Sequence, residues 1–295
     1  MFNEYAVDPD VCSSKESCLH LINSFSQSAG RLINKTPNDW HRKAINALRL
    51  SDLGPVLRKS YKSRLNKIVK EVLLSDGVGK DFDREKDWLS QLVETDRFLE
   101  FTATISLRDR PGIGSHHTLE DLMVSHSPLW EVPNEKIVLR NARDIVDALE
   151  PLLKVSKEIV IVEPHFKPYQ RFWNTIRELI SRREAYNFSQ GVNKIIINCL
   201  SVSNNFQQWC EGELEGKIPP GFELEVRLWG NEDMHDRWLL TDVGGLRLGT
   251  GFDEGGEGRI QDVEISRISN ESRIINHRKY CKEKALHCFV VGKAF

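Results

Sequence analysis

The stretch from Met234 to Asp253, MHDRWLLTDVGGLRLGTGFD, decides how this chain is read. His235 and Arg237 stand two residues apart, a spacing that puts both side chains on one face of a β-strand. Trp238-Leu239-Leu240 continues that strand, and Thr241-Asp242 begins a turn. Gly244-Gly245 can supply the positive φ angles of a tight hairpin, and Leu246-Arg247-Leu248 then reads as the returning strand. The expected object is a hairpin with an imidazole and a guanidinium side by side at one end. Asp242 sits near its turn, and the small-residue loop Gly249-Thr250-Gly251 follows the second strand.

That set suits chemistry on a phosphodiester. A neutral imidazole can attack phosphorus, and a fixed cation can hold the oxygens whose charge is redistributed in the transition state. Arg237 is a planar fork that clamps phosphate oxygens bidentately and stays protonated, so it serves charge stabilisation and not proton transfer. The glycines let backbone N–H groups come close to phosphate, and Thr250 can donate one more hydrogen bond. Alone, His235 would read as a surface histidine at a strand start. Its neighbours Arg237, Asp242, Gly249, Thr250 and Gly251 point to a phosphate site.

His235-x-Arg237-x4-Asp242 followed by Gly249-Thr250 resembles the H-x-K-x4-D…G-S motif of the phospholipase D superfamily. Arg237 replaces the Lys, Thr250 replaces the Ser, and the Asn that follows the Gly-Ser pair has no match, Phe252 or Asp253 falling nearest. The form is more similar still to the phospholipase-D-like domain at the C-terminus of the microtubule-interacting-and-trafficking proteins and to its bacterial relatives, a domain known for binding acidic membrane lipid. The resemblance implies a mixed sheet flanked by helices and a metal-independent phosphohistidine mechanism with no cofactor. It makes His235, Arg237 and Asp242 the catalytic set, with Asp242 largely structural. Such catalysis uses two histidines, one forming the covalent intermediate and the other protonating the leaving group. One motif is present, so the implied enzyme is a homodimer with a His235 from each subunit facing one phosphate.

Composition sets wide bounds. At 295 residues two domains are expected, each large enough for its own core. Hydrophobic content of 40% and charged content of 28% describe an ordinary globular protein, and the polar, acidic start Met1–Asp10 reads as no secretory signal. Cys12, Cys18, Cys199, Cys210, Cys281 and Cys288 show no C-x-x-C spacing. They read as reduced thiols of a cytoplasmic protein, with neither a disulfide framework nor a zinc site. Lys and Arg number 21 against 23 Asp and Glu up to Glu150, and 20 against 20 after it, so no basic domain signals bulk binding to DNA.

Outward from the hairpin, Glu158–Glu163, Lys194–Leu200 and Leu224–Trp229 read as strands, with helices at Ala142–Leu153, capped by Asn141, and at Tyr169–Arg183. Asp262–Ile268 alternates as a strand, and Asn270–Leu286 reads as a terminal helix. This is an α/β layout, a phospholipase-D-like mixed sheet over residues 135–295. Residues 1–134 read as a mainly helical α+β domain of unassigned role that could bind a protein partner. Its helices are expected at Ser14–Ile33, after Pro37, at Val56–Leu74 and at Asp83–Leu99, with one strand at Phe101–Leu107, a loop at Ser75–Lys80 and a connector at Ser127–Glu135. The Val56–Leu74 helix carries Arg58, Lys59, Lys62, Arg64, Lys67 and Lys70 opposite its apolar stripe, the pattern of a solvated face or of a contact for phosphate or an acidic partner. His116, His117 and His126 lack a further ligand at metal spacing and read as loop histidines.

His165-x-Lys167 superficially repeats the motif but leads into a helix. It follows the first α/β strand, and ligands collect beyond the carboxyl ends of such strands, so His165 and Lys167, with Glu163, are read as lining the same cleft. Asp253, Glu254 and Glu264 are possible neighbours. Trp229 and Trp238 read as core. The expected substrate-binding set is Gly249, Thr250, Gly251, His165 and Lys167, with no metal. The expected partner is nucleic acid or another phosphodiester, an acidic lipid included. Two classes of function stay open: a nuclease, for which a bacterial defence system is one candidate setting, and a catalytically inactive phosphate-binding module.

Overall fold

The computed structural model describes the chain except residues 75–81, 84–85, 96–97, 109–114, 126, 187–192, 201–204, 231–233, 257, 259 and 292–295. The expected loop at Ser75–Lys80 and His126 therefore lie outside the described residues. The chain divides into two compact units, Phe2–Pro133 and Asn134–Phe295, with Met1 belonging to the second.

The first unit is built on β1 (Asn3–Val7), α1 (Lys15–Ser24), β2 (Arg31–Ile33), α2 (Trp40–Leu50), α3 (Pro55–Val72), α4 (Trp88–Val93), β3 (Ala103–Ser106), β4 (His116–Thr118) and α5 (Leu119–Val124). Its sheet has the order β2-β1-β3-β4 and every pairing is parallel. The helix expected across Ser14–Ile33 stops at Ser24. Phe25 turns extended and stacks edge-on against Tyr5 and Trp130, with ring centroids 5.4 and 5.6 Å away. Gly30, at φ 69°, then reverses the chain so that Leu32 and Ile33 join β1 as a strand. Parallel pairing explains why β1, β2 and β4 escaped a reading by local pattern, since their partners lie far away in sequence. His116 is one consequence: it is a buried strand residue whose Nε2 lies 3.0 Å from the Ser106 hydroxyl.

The second unit begins with β5 (Glu135–Leu139) and α6 (Ala142–Leu153), whose N-cap Asn141 accepts from the Asp144 amide at 2.9 Å. β6 (Ile159–Val162), α7 (Gln170–Ala185), β7 (Asn193–Leu200), α8 (Phe206–Leu214) and β8 (Phe222–Trp229) follow. Next come β9 (Trp238–Thr241), β10 (Gly245–Leu248), β11 (Asp262–Arg267), α9 (Asn270–Lys282) and β12 (His287–Val291). One eight-stranded mixed sheet results, in the order β12-β8-β7-β6-β9-β10-β11-β5. β6, β7 and β8 are parallel, and every other neighbour pair is antiparallel. The α/β class with flanking helices expected from the pattern is the class of the structure.

The parallel centre is apolar on both faces: all four residues of β6 are buried, as a strand covered on two sides requires. Val160, Val162, Ile196, Trp229, Met234, Leu240 and Tyr280 form one continuous cluster. Trp229 and Trp238 belong to the core, packing against Tyr280. β5 and β12, the outer strands, have no counterpart in the expected elements; the helix expected to reach Leu286 ends at Lys282, and β12 begins at His287. Among the described residues no helix is long and apolar enough to cross a membrane.

Candidate functional site

β6 and β9 run antiparallel, with Val162 opposite Trp238, so the carboxyl end of β6 meets the start of β9. β10 pairs Arg247 with Trp238, and the Leu248 amide donates to the Arg237 carbonyl at 2.9 Å. Glu163, His165 and Lys167, then His235 and Arg237, and then Gly249, Thr250 and Gly251 therefore gather along one edge of the sheet. Asp242 does not. It follows β9 at the opposite edge, about 15 Å from Arg237 at the usual rise per residue. There its Oδ1 accepts from the amides of Lys157 at 2.9 Å and Glu158 at 3.4 Å, tying the β9–β10 turn to the entry of β6. Asp242 is thus held as a structural brace, without contact to the histidine edge.

Glu163 organises that edge. Its carboxylate is buried and accepts from three segments: the His165 amide at 3.2 Å, the Phe252 amide at 3.1 Å, and Arg237 Nε as an ion pair at 3.5 Å. Burial raises its pKa above the ordinary carboxylate value, while the Phe252 and His165 amides and the Arg237 guanidinium oppose that shift. Gly251 lies directly against this carboxylate with φ +99°. A Cβ there would stand 2.4 Å from Glu163 Oε2 and 3.0 Å from Arg237 Cδ. The glycine is required both by its backbone conformation and by the space.

Arg140, at the end of β5, clasps the same loop from outside. Its guanidinium bonds the Asp253 carboxylate, the Asp253 carbonyl at 2.9 Å and the Thr250 carbonyl at 3.0 Å. Arg171 pairs with the other Asp253 oxygen at 3.2 Å. Asp253 is buried and doubly ion-paired, and Glu254 accepts from the Ala142 amide at 3.0 Å. Both acids fasten the loop to neighbouring elements. Arg140 and Arg171 carry no motif that would single them out by spacing. The burial of Asp253, which requires cations nearby, is visible only in the folded chain.

The outer side of this edge carries fewer contacts. His235 is exposed and, among the described residues, has no hydrogen bond or ion pair. It precedes β9 in irregular backbone, so it does not stand paired with Arg237 on a strand face as the spacing implied. Arg237 is 26% exposed, and only its Nε engages Glu163. Its two terminal nitrogens have no partner among the described residues, and neither does the Thr250 amide. The Thr250 hydroxyl leans on the Asp262 carbonyl at 3.3 Å, which turns its proton away from the role expected of it. His165 is exposed, and the half-buried Lys167 places its Nζ 5.9 Å from the Tyr169 ring. The edge offers two imidazoles, one guanidinium fork, one ammonium and, among the described residues, one unpaired amide near a buried carboxylate, groups that can donate to an anion.

No family model matches this chain, and no curated protein matches it. Among solved structures, TrmBL2, an archaeal chromatin protein whose structure shows a novel mode of DNA binding, aligns at 14% identity with a TM-score of 0.27. The alignment covers 56% of this chain and 56% of that one, a likeness too distant to carry an argument.

Proposed function

We propose that the His235–Arg237 edge binds a phosphodiester and that the protein is a metal-independent phosphodiesterase, a nuclease acting through a phosphohistidine. The observation that carries this reading is an exposed imidazole two residues from a guanidinium whose Nε is anchored to buried Glu163, both His235 and the Arg237 terminal nitrogens having no partner among the described residues. A His235 ring nitrogen attacks phosphorus, and the bond to the leaving oxygen breaks. A second histidine gives that oxygen its proton and then takes one from the water that releases the phosphoryl group. Arg237 and the Thr250 amide hold the non-bridging oxygens. The second histidine is His235 of another copy across a twofold axis; His165, in the same chain, is the other candidate.

The test is cleavage in EDTA of single- and double-stranded DNA, of RNA and of a generic phosphodiester ester, comparing wild type with His235→Ala. Metal-free activity lost in the variant is the expected result. Full activity in purified His235→Ala would overturn the mechanism.

A second reading, a non-catalytic phosphate-binding module for nucleic acid or acidic lipid, is favoured by one feature. Among the described residues neither ring nitrogen of His235 bonds a protein group that would fix the tautomer and aim the ring, as a catalytic imidazole requires. Binding of phosphodiester or acidic vesicles lost in Arg237→Ala, with no turnover by wild type, would decide for it.

A further inference from the structure

A second cluster lies at the opposite edge of the same sheet. Glu158, just before β6, and His277 and Cys281, on α9, bring a carboxylate oxygen, an imidazole nitrogen and a thiol sulfur all within 4.8 Å of one another. His277 and Cys281 are four apart on one helix face, so α9 presents both ligands together. Cys281 is a free thiol that also packs against the central apolar cluster, which fixes where its sulfur sits.

His277 Nε2 approaches Glu158 Oε2 at 3.2 Å. Nε2 is buried and, among the described residues, has no hydrogen bond. A buried imidazole nitrogen without a hydrogen bond, beside a carboxylate oxygen and a thiol sulfur, leaves its lone pair available to a metal ion. In a tetrahedral zinc centre with bonds of about 2.0–2.3 Å, ligand atoms stand about 3.3–3.6 Å apart, which this cluster needs little movement to reach.

We propose that Glu158, His277 and Cys281 form a zinc site that ties the C-terminal helix to the start of β6. The mixture of oxygen, nitrogen and sulfur suits Zn(II) and disfavours Mg(II) or Ca(II), which take oxygen alone. On binding, Cys281 loses its thiol proton to solvent and the S–Zn bond forms. The charges of thiolate and carboxylate then balance the ion, and water fills the fourth position. Of the cations nearest His277, Arg273 is engaged by the Thr241 and Asp242 carbonyls and by Asn270, and Lys282 is exposed. Asp242 adds negative charge on the same side. The site lies at the other end of β6 from Glu163, so the proposal stands independently of phosphodiester chemistry.

The experiment uses the full chain, reduced and stripped with EDTA, then titrated with Zn(II) against a chromophoric chelator and separately with Co(II). The expected result is one equivalent per chain and a thiolate-to-cobalt charge-transfer band. Both should be lost in Cys281→Ser and His277→Ala and kept in Cys288→Ser. Glu158→Gln, at an exposed position, should keep the band and bind more weakly, which tests the site even if a helix variant fails to fold. No stoichiometric binding by wild type, a cobalt spectrum without the thiolate band, or undiminished binding by folded Cys281→Ser would overturn it.

Discussion

Gly251 concentrates the demands of the site on one residue. Its φ of +99° and the 2.4 Å approach to Glu163 Oε2 leave no place for a side chain. Gly251→Ala is expected to lower stability by about 1–3 kcal/mol, read from urea unfolding, and to weaken phosphodiester binding by displacing Arg237. Glu163 makes a prediction about pH. A carboxyl whose folded pKa is raised binds more protons folded than unfolded, so its contribution falls as pH rises from the unfolded pKa through the folded one. Glu163→Gln removes that dependence. The stability of this variant relative to wild type should therefore improve as pH is raised from about 4 through the raised Glu163 pKa. A difference that is flat with pH, measured by unfolding at each pH, would count against a buried, raised Glu163. These residues were unevenly legible. Glycine and histidine types in order raised the expectation of a phosphate edge, but the pairing of Arg237 with Glu163 spans distant positions and depends on β6 lying beside β9.

At the level of elements, the β9–β10 hairpin has two distinct ends whose residues local spacing placed together. One end carries His235 and Arg237, and the other is braced by Asp242 on the Lys157 and Glu158 amides. Asp242→Ala should cost about 1–2 kcal/mol by leaving those amides unmatched, while phosphate binding at the histidine edge survives. Loss of binding with unchanged stability would restore Asp242 to the site. Helices with caps and long apolar stripes, such as α6 behind Asn141 and α3 behind Gly54-Pro55, were readable because their signals are local. β1, β2 and β5 were not, since short strands of three to five residues draw their stability from partners far along the chain.

For the whole molecule, the proposed chemistry makes a statement about assembly. A phosphohistidine mechanism with a single strong motif needs a second histidine, and a twofold dimer supplies it. Light scattering of the active protein should report a dimer. Mixing wild type with excess His235→Ala should cut activity below the fraction of wild-type chains, because mixed dimers hold one competent histidine. An active monomer that loses activity in His165→Ala would instead assign the second role to His165.

The amino-acid sequence by itself determined the α/β class, the hairpin, the position of the glycine loop and the residue types that suit a phosphate. Those follow from short-range periodicity and the order of a few polar residues, although the β9–β10 turn has no positive φ at Gly244 or Gly245 and is instead closed by the Thr241 hydroxyl, which accepts from the Val243 and Gly244 amides. The tertiary structure alone decided which of them meet. It turned Arg237 onto Glu163, left His235 facing outward, moved Asp242 to the far edge, and gathered Glu158 with His277 and Cys281 across more than a hundred positions of sequence. The physical reason is the sheet. Strand order and direction choose which chain segments share an edge, and that order is set by burial of apolar faces over the whole unit, a sum that no local window of sequence contains.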